Sequence, residues 1–342
     1  MSTRYLLLAE GFSGNPLYGK TTRGVLRYRR DDVVAILDST RAGETEEGMP
    51  VVGTVEDALP LGPTTALVGV VTQGGYFPPE WMKLIRACVE NGLDVENGLH
   101  VFLGDDPELR ELATERGVEL RDLRRPPADL STATGANLAV DATIVLTVGS
   151  DCAIGKMTVS CELDLEARRR GLRSVFVPTG QTGIAIAGWG IAVDAVVADF
   201  LAGAAERLVV EGHARGGELL WVEGQGSLLN PVYSGVTLGL YHGSVPHVLV
   251  LCHEVGRTEI EGAGGGPHLI PPLSELVELH ERCALPARPA RVAAVALNTR
   301  ALSEEEARAA VAAAEEETGL TADDPVRFGA ERLVDAVLAV AS

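Results

Sequence analysis

The run Gly149-Ser150-Asp151-Cys152-Ala153-Ile154-Gly155-Lys156-Met157-Thr158 carries the clearest chemical signal in the chain. It follows an apolar stretch, Ala142 to Val148, that reads as a strand, and leads into a stretch that reads as a helix from about Gly155 to Arg170. In that setting glycines let the backbone curl until successive N–H groups face one point. The helix N-terminus adds positive potential and Lys156 supplies a mobile cation, so the chemistry is the gripping of phosphate. Two departures from the common phosphate loop narrow this. Five residues rather than four separate Gly149 from Gly155, and Met157 stands where a Ser or Thr hydroxyl ordinarily holds Mg²⁺. A thioether is a poor ligand for that hard cation, and Thr158 is turned away by about 100° around the helix. The loop is therefore expected to hold phosphates without ordinary NTP hydrolysis.

Other candidate groups stand at the ends of apolar runs. Leu219 to Glu223 is a strand closed by an acid beside Gly224 and Gly226. Glu223 is the candidate general base or holder of a metal-bound water; a capping role is its structural alternative. His253-Glu254 and Asn298-Thr299 end two further strands and are expected on the same rim, with His253 the alternative base and Asn298 offering an amide to a base edge. In Gly180-Gln181-Thr182-Gly183, Gln181 and Thr182 are candidate contacts to a cofactor's phosphate or acyl group. No metal site is expected among the seven histidines; an ATP-dependent reaction would call on Asp151, Glu223 and Thr158 for Mg²⁺.

A second stretch, Gly14-Asn15-Pro16-Leu17-Tyr18-Gly19-Lys20-Thr21, matches the phosphate-loop spacing more literally. Only about a dozen residues separate it from the next strand, with Gly24 among them, so a well-formed following helix is not expected. Lys20 remains a candidate to reach a shared cleft. Asp38 follows a second strand, where a dinucleotide-binding acid would stand, but Gly11, Gly14 and Gly19 do not make GxGxxG.

The elements that must position these groups fall into two parts. Tyr5 to Ala9, Val33 to Asp38, Ala66 to Thr72 and Val118 to Leu123 read as strands, with helices at Pro79 to Asn91 and Pro107 to Arg116. That alternation implies an α/β unit with a Rossmann-like parallel sheet. After the Pro-, Ser- and Gly-rich stretch from Arg124 to Asp141 the alternation restarts. Strands are expected at Ser174 to Pro178, Leu219 to Glu223, His247 to Cys252 and Arg291 to Asn298. Helices are expected near Asp199 to Gly212, Pro272 to Arg282, Ser303 to Thr318 and Ala330 to Val340. This is a doubly wound domain like that of the P-loop NTPases, whose ligands sit beyond the carboxyl ends of the strands. The sequence places the division at 1–135 and 136–342. Glu261 to Pro267, rich in glycine, is expected to be a flexible loop.

With 342 residues, a net charge of −19 and 46% hydrophobic residues, the chain is long enough for two cores and too acidic to follow a nucleic-acid backbone. No apolar run approaches the roughly 20 residues that cross a bilayer, which leads to an expectation of a cytoplasmic protein without a membrane partner. Five cysteines without CxxC spacing argue for reduced thiols. Lysine occurs only at Lys20, Lys83 and Lys156, which makes a lysine in a phosphate motif more telling.

The Gly149–Thr158 loop, the stretch from Gly188 to Phe200 and the Glu223-Gly224-Gln225-Gly226-Ser227 turn together resemble one bacterial family. It was long catalogued as a domain of unknown function and includes D-glutamate N-acetyltransferases. The likeness extends over nearly the whole chain, including Lys20-Thr21-Thr22 and the closing Asp324-Pro325-Val326-Arg327-Phe328-Gly329. It implies acetyl transfer from acetyl-CoA to the amino group of an acidic amino acid, D-glutamate by this resemblance, with the cofactor's phosphates on the loop. On that reading Glu223 or His253 takes the ammonium proton, backbone N–H groups of Gly180 to Gly183 face the oxyanion, and Lys20, Arg257 or Arg300 hold the substrate carboxylates. A homo-oligomer is the expected assembly. More distantly the loop and the Glu223 turn are similar to dethiobiotin synthetase, which implies the alternative of an ATP- and Mg²⁺-dependent ligase or kinase. That enzyme's pattern has a hydroxyl where Met157 stands. A nucleotide-sensing regulator without chemistry is the third class.

Overall fold

A computed structural model of the chain describes residues 3–15, 19–70, 76, 80–262 and 268–341. The chain forms two compact units: Met1–Arg125 with Gln181–Ala192, and Pro126–Gly180 with Val193–Ser342. The sequence reading draws the division at 135. The packing draws it at Arg125 and gives Gln181–Ala192, from within the part expected to form the second domain, to the first unit.

The first unit holds strands β1 (Tyr5–Leu8), β2 (Val33–Leu37), β3 (Thr45–Glu46), β4 (Met49–Val52), β5 (Thr65–Val68), β6 (Asp94–Asn97) and β7 (Leu120–Asp122). Its helices are α1 (Lys20–Tyr28), α2 (Val55–Ala58), α3 (Trp81–Glu90) and α4 (Pro107–Arg116). The sheet order is β3-β4-β2-β1-β5-β6-β7, and all pairings are parallel except β3 with β4. The fully apolar Tyr5–Leu8 is buried along its length, as a strand covered on both faces must be. The expectation of no helix after Lys20 is corrected: nine residues form α1, because Thr22 ties its first turn to the end of β5 through Thr22 Oγ1 and N donating to Gly69 O (2.9 and 2.8 Å). Tertiary contact thus outweighs the low helix propensity of Gly24. Residues 16–18 of the rival loop, the end of the expected Ala66–Thr72 strand, Pro79 and residues 263–267 of the Glu261–Pro267 loop lie outside the described residues.

Asp38, buried at the end of β2, accepts from Gly11 N, Ser13 N, Ser13 Oγ, Thr40 N and Thr40 Oγ1 at 2.6–3.1 Å. Both its oxygens serve the loop after β1, which leaves no place for a ribose hydroxyl. Helix α6 (Gln181–Ala187) is held in this unit at its C-terminal end, where Arg29 Nη1 donates to Ala185 O (3.1 Å) and Arg121 Nη2 to Gly188 O (3.0 Å). Cations at the last carbonyls satisfy acceptors that the helix itself leaves open.

The second unit has strands β8 (Thr143–Gly149), β9 (Ser174–Val177), β10 (Leu219–Val222), β11 (Val248–Glu254), β12 (Arg291–Asn298) and β13 (Thr321–Asp323), in the order β13-β12-β11-β8-β10-β9 and all parallel. Its helices are α5 (Lys156–Arg169), α7 (Ala198–Ala214), α8 (Ser234–Ser244), α9 (Leu273–Arg282), α10 (Glu304–Thr318) and α11 (Glu331–Ala341). Val145, Val159, Leu163, Trp221, Val250, Leu333 and Val337 pack one face of this sheet with α5 and α11. Helix α8 escapes the periodicity reading because glycines interrupt its apolar pattern. Those glycines let it lie against α7: a Cβ on Gly239 would stand 2.4 Å from Leu201, and one on Gly243 2.3 Å from Ala202 O. The architecture is that expected, a Rossmann-like α/β unit and a P-loop unit.

Candidate functional site

In the second unit the chain leaves β8 at Gly149, turns through Ser150–Gly155 and enters α5 at Lys156. The curl requires left-handed backbone at Ala153 (φ 56°) and Gly155 (φ 112°), the latter as N-cap of α5. Lys156 is buried, and its Nζ donates to the loop's own Asp151 O at 2.7 Å. Met157 is buried as well, at 7% exposure. Thr158 is half-buried. Among the described residues no group of three or more His, Cys, Asp or Glu stands close enough together to hold a metal ion.

Strand register gathers the rim. Cys252 pairs with Gly149, and Glu254 with Asn298, so β11 carries His253 and Glu254 past the start of the loop to the level of Asn298. His253 Nδ1 and Ser150 Oγ are 2.9 Å apart, and burial holds the imidazole below the ordinary histidine pKa against the opposing pull of Glu254 and Glu317. Neutral at pH 7, His253 keeps a lone pair for a proton. Asn298 Nδ2 donates to Ile154 O (3.1 Å) and its Oδ1 accepts from Arg300 N (3.3 Å). Its amide thus braces the loop, where the sequence suggested a reader of a base edge.

Glu223 is 4% exposed at the end of β10. Its Oε2 accepts from Thr179 N (2.9 Å) and Gly180 N (3.1 Å), and Gln225 Nε2 approaches Oε1 at 3.4 Å. The carboxylate is held in one orientation, and the Gly180 N–H expected to face an oxyanion is committed to it. Gly224 N donates to Thr147 Oγ1 (2.9 Å) and Ser227 Oγ to Ser150 O (3.1 Å), which fastens the turn after β10 to the loop after β8.

Of the candidate cations, Arg257 does not reach outward. Its Nη1 donates to Asp151 Oδ2 and Cys152 O (both 3.0 Å), and its Nη2 pairs with Glu254 (2.6 Å). Arg300 also pairs with Glu254 (2.6 Å), but its side chain is 67% exposed. Sequence reasoning missed Asn230, whose Nδ2 donates to Asp151 Oδ1 (3.2 Å), and Arg327, whose Nη2 donates to Thr299 O (2.9 Å) and Leu302 O (2.8 Å) in the turn after β12. The Asp324-Pro325-Val326-Arg327 stretch was visible as a motif; its partners were not. The remaining candidates belong to the first unit: Lys20 is exposed at the start of α1, Thr182 Oγ1 stands 2.8 Å from Thr21 Oγ1, and Gln181 Oε1 accepts from Arg124 Nη1 (3.3 Å). The structure thus assembles the loop, Glu223, His253, Arg257, Asn298 and Arg300 in one unit, and Lys20, Gln181 and Thr182 in the other.

The arrangement is a phosphate loop whose rim presents an oriented carboxylate, a neutral imidazole and an exposed guanidinium. Comparison with known proteins agrees with both units. Residues 131–334 match the P-loop domain of the domain of unknown function DUF1611, and residues 38–126 match its Rossmann-like N-terminal domain. A protein named D-glutamate N-acetyltransferase from Tritonibacter scottomollicae is 38% identical over 341 residues, covering 99% of this chain and 100% of that protein. One of the same name from a Pseudoalteromonas species is 35% identical, covering 81% and 82%. The crystal structure of a DUF1611 family protein from Anabaena variabilis has a TM-score of 0.90 at 40% identity, covering 98% of this chain and 99% of that one. On these grounds the chain belongs to the DUF1611 family, with its Rossmann-like N-terminal and P-loop C-terminal domains.

Proposed function

We propose that this protein is an N-acetyltransferase that moves the acetyl group of acetyl-CoA to the amino group of an acidic amino acid, D-glutamate in the first instance. The observation that carries this is the likeness along 99% of the chain to a protein of that name, in a chain whose phosphate loop puts a buried methionine at the position of the Mg²⁺-binding hydroxyl. Backbone N–H groups of Gly149–Thr158 and Lys156, swung from Asp151 O, would hold the diphosphate. When bound, acetyl-CoA supplies the activated acyl group as a thioester.

The protein's own residues then have two tasks. An ammonium is no nucleophile until it loses a proton, which Glu223 would take. The N–H groups of Thr179 and Gly180 fix one carboxylate oxygen and thereby aim the group. His253, neutral and anchored through Ser150, is the alternative acceptor. Arg300 is suited to the substrate's carboxylate: its own side chain is 67% exposed, and its partner Glu254 keeps a second cation in Arg257 when Arg300 turns to a ligand.

The test is direct. The protein incubated with acetyl-CoA and D-glutamate should release free CoA and form N-acetylglutamate, identified by mass spectrometry, with no need of ATP. Glu223→Gln should lower kcat by about 10²–10⁴-fold, the range for loss of a general base. Tight binding of ATP with Mg²⁺ and none of acetyl-CoA would overturn the reading in favour of a ligase or kinase.

A further inference from the structure

The carboxylate of Asp151 is wholly buried within the phosphate loop and faces the protein. Its Oδ1 accepts from Asn230 Nδ2 (3.2 Å); its Oδ2 accepts from Glu261 N (2.8 Å) and Arg257 Nη1 (3.0 Å). Burial alone would push its pKa up, and these bonds outweigh it and hold it below the usual range. Arg257 joins the same cluster from the turn after β11, touching Cys152 O, Glu254 and Glu261 (3.2 Å for the last). Asn230 Nδ2 also reaches Glu261 O (3.4 Å). The segments that follow β10 and β11 thus converge on one side chain of the loop that follows β8.

That convergence answers a physical need. A curl that aims several N–H groups at one point cannot satisfy them internally, and Ala153 adds a non-glycine residue at φ 56°. Such backbone is strained and persists only where the surroundings over-determine it. An ion pair between a buried carboxylate and a 16%-exposed guanidinium that also binds the next carbonyl is a constraint of that kind.

We propose that Asp151 and Arg257 are a positioning pair: together they hold the Gly149–Gly155 backbone in the curl that receives a diphosphate, and Arg257 is not a ligand of the substrate's carboxylate. The pair rests on the reading that this loop holds the cofactor's phosphates. It predicts an effect confined to one substrate.

Purified Arg257→Ala, Arg257→Lys and Asp151→Asn proteins should be titrated calorimetrically with acetyl-CoA and with ADP, and their steady-state constants measured for both substrates. Arg257→Ala and Asp151→Asn should weaken acetyl-CoA binding by about tenfold or more, the size expected on losing a charged hydrogen bond that fixes a site. The KM for acetyl-CoA should rise in step with that loss, and by much more than the KM for D-glutamate. Arg257→Lys, which keeps the charge and loses the fork, should recover part of the loss. A rise in the KM for D-glutamate with acetyl-CoA binding unchanged would overturn the proposal and return Arg257 to the substrate, and so would a loss of neither. Should Arg257→Ala fail to fold, Asp151→Asn and Arg257→Lys carry the same comparison. A parent that binds ADP but not acetyl-CoA overturns the acetyltransferase reading alone, and the variants then decide the pair on ADP; a parent that binds neither overturns both.

Discussion

Side-chain chemistry in this protein is set by what each group faces, and residue type alone misleads at several positions. Arg257 was a candidate carboxylate ligand by its place at a strand end, yet its guanidinium serves the loop itself. Asn298 carries an amide of the kind that reads bases and spends it on Ile154 O. Gly155 is the opposite case, a residue whose role was legible. Its φ of 112° lies where side chains are strained whatever the space around them, and space is not short, since the nearest atom to an added Cβ is 3.9 Å away. Gly155→Ala should therefore act through the backbone alone. We expect a stability loss of about 1–2 kcal/mol, read from the urea midpoint, together with weaker acetyl-CoA binding. Full acetyl-CoA affinity in a folded Gly155→Ala protein would show that the loop's curl is not what the cofactor needs.

At the scale of elements, the second unit is tied together by carboxylates that receive backbone N–H groups. Glu206 of α7 accepts from Thr134, Gly135 and Ala136 N and from Thr134 Oγ1, which fastens the proline- and threonine-rich segment before β8 to the helix. Three N–H groups converging on one carboxylate make the arrangement a nest for an anion supplied by the protein itself. Removing it with Glu206→Ala strands those donors, at a cost of about 2–4 kcal/mol in urea unfolding, while Glu206→Gln keeps an acceptor oxygen and should cost about half as much. Equal losses for the two variants would mean that packing of the side chain matters rather than its bonds. None of this is encoded as a pattern. A glutamate on α7 reads as a solvated face residue, and only its proximity to residue 134 reverses that. Helix α8 makes the same point, because its glycines look like breakers until the close approach to α7 explains them.

At the scale of the molecule, the second unit responds to acid through buried imidazoles. His280 is fully buried; its Nδ1 donates to Leu276 O (2.7 Å), and Nε2 has no hydrogen-bond partner among the described residues. Burial pushes its pKa down to about 4, and His247, which accepts from Ile144 N, is likewise pushed down to about 4, with Arg288 adding to the effect of burial. Both stay neutral in the folded chain, whereas the unfolded chain protonates them near pH 6.5. The unfolded state then binds more protons between pH 6.5 and 4, so stability falls as pH drops through that window. Asp164, whose pKa burial raises, works in the opposite sense and blunts the fall. Chemical denaturation should show the parent less stable at pH 5 than at pH 7, and His280→Leu should remove about 1–2 kcal/mol of that difference. An unchanged pH dependence in His280→Leu would place the acid sensitivity elsewhere.

The sequence by itself determined the two α/β units, the strand–loop–helix of the phosphate site, the missing hydroxyl at Met157 and the family, since these rest on local periodicity, on backbone demands for glycine and on motifs contiguous in the chain. The alignment of β8, β10, β11 and β12 then follows from apolar runs that bury both faces, which is why Glu223, His253 and Asn298 were found on a rim. Tertiary structure alone decided what these groups touch. The pairing of Asp151 with Arg257 joins residues 106 positions apart, and Glu206 with Thr134 joins residues 72 apart. The return of Gln181–Ala192 to the first unit is fixed by Arg29 and Arg121 at a helix end, far away in sequence. A hydrogen bond or ion pair acts over about 3 Å of space irrespective of chain separation, so its partner is specified only once the sheets have set the loops side by side.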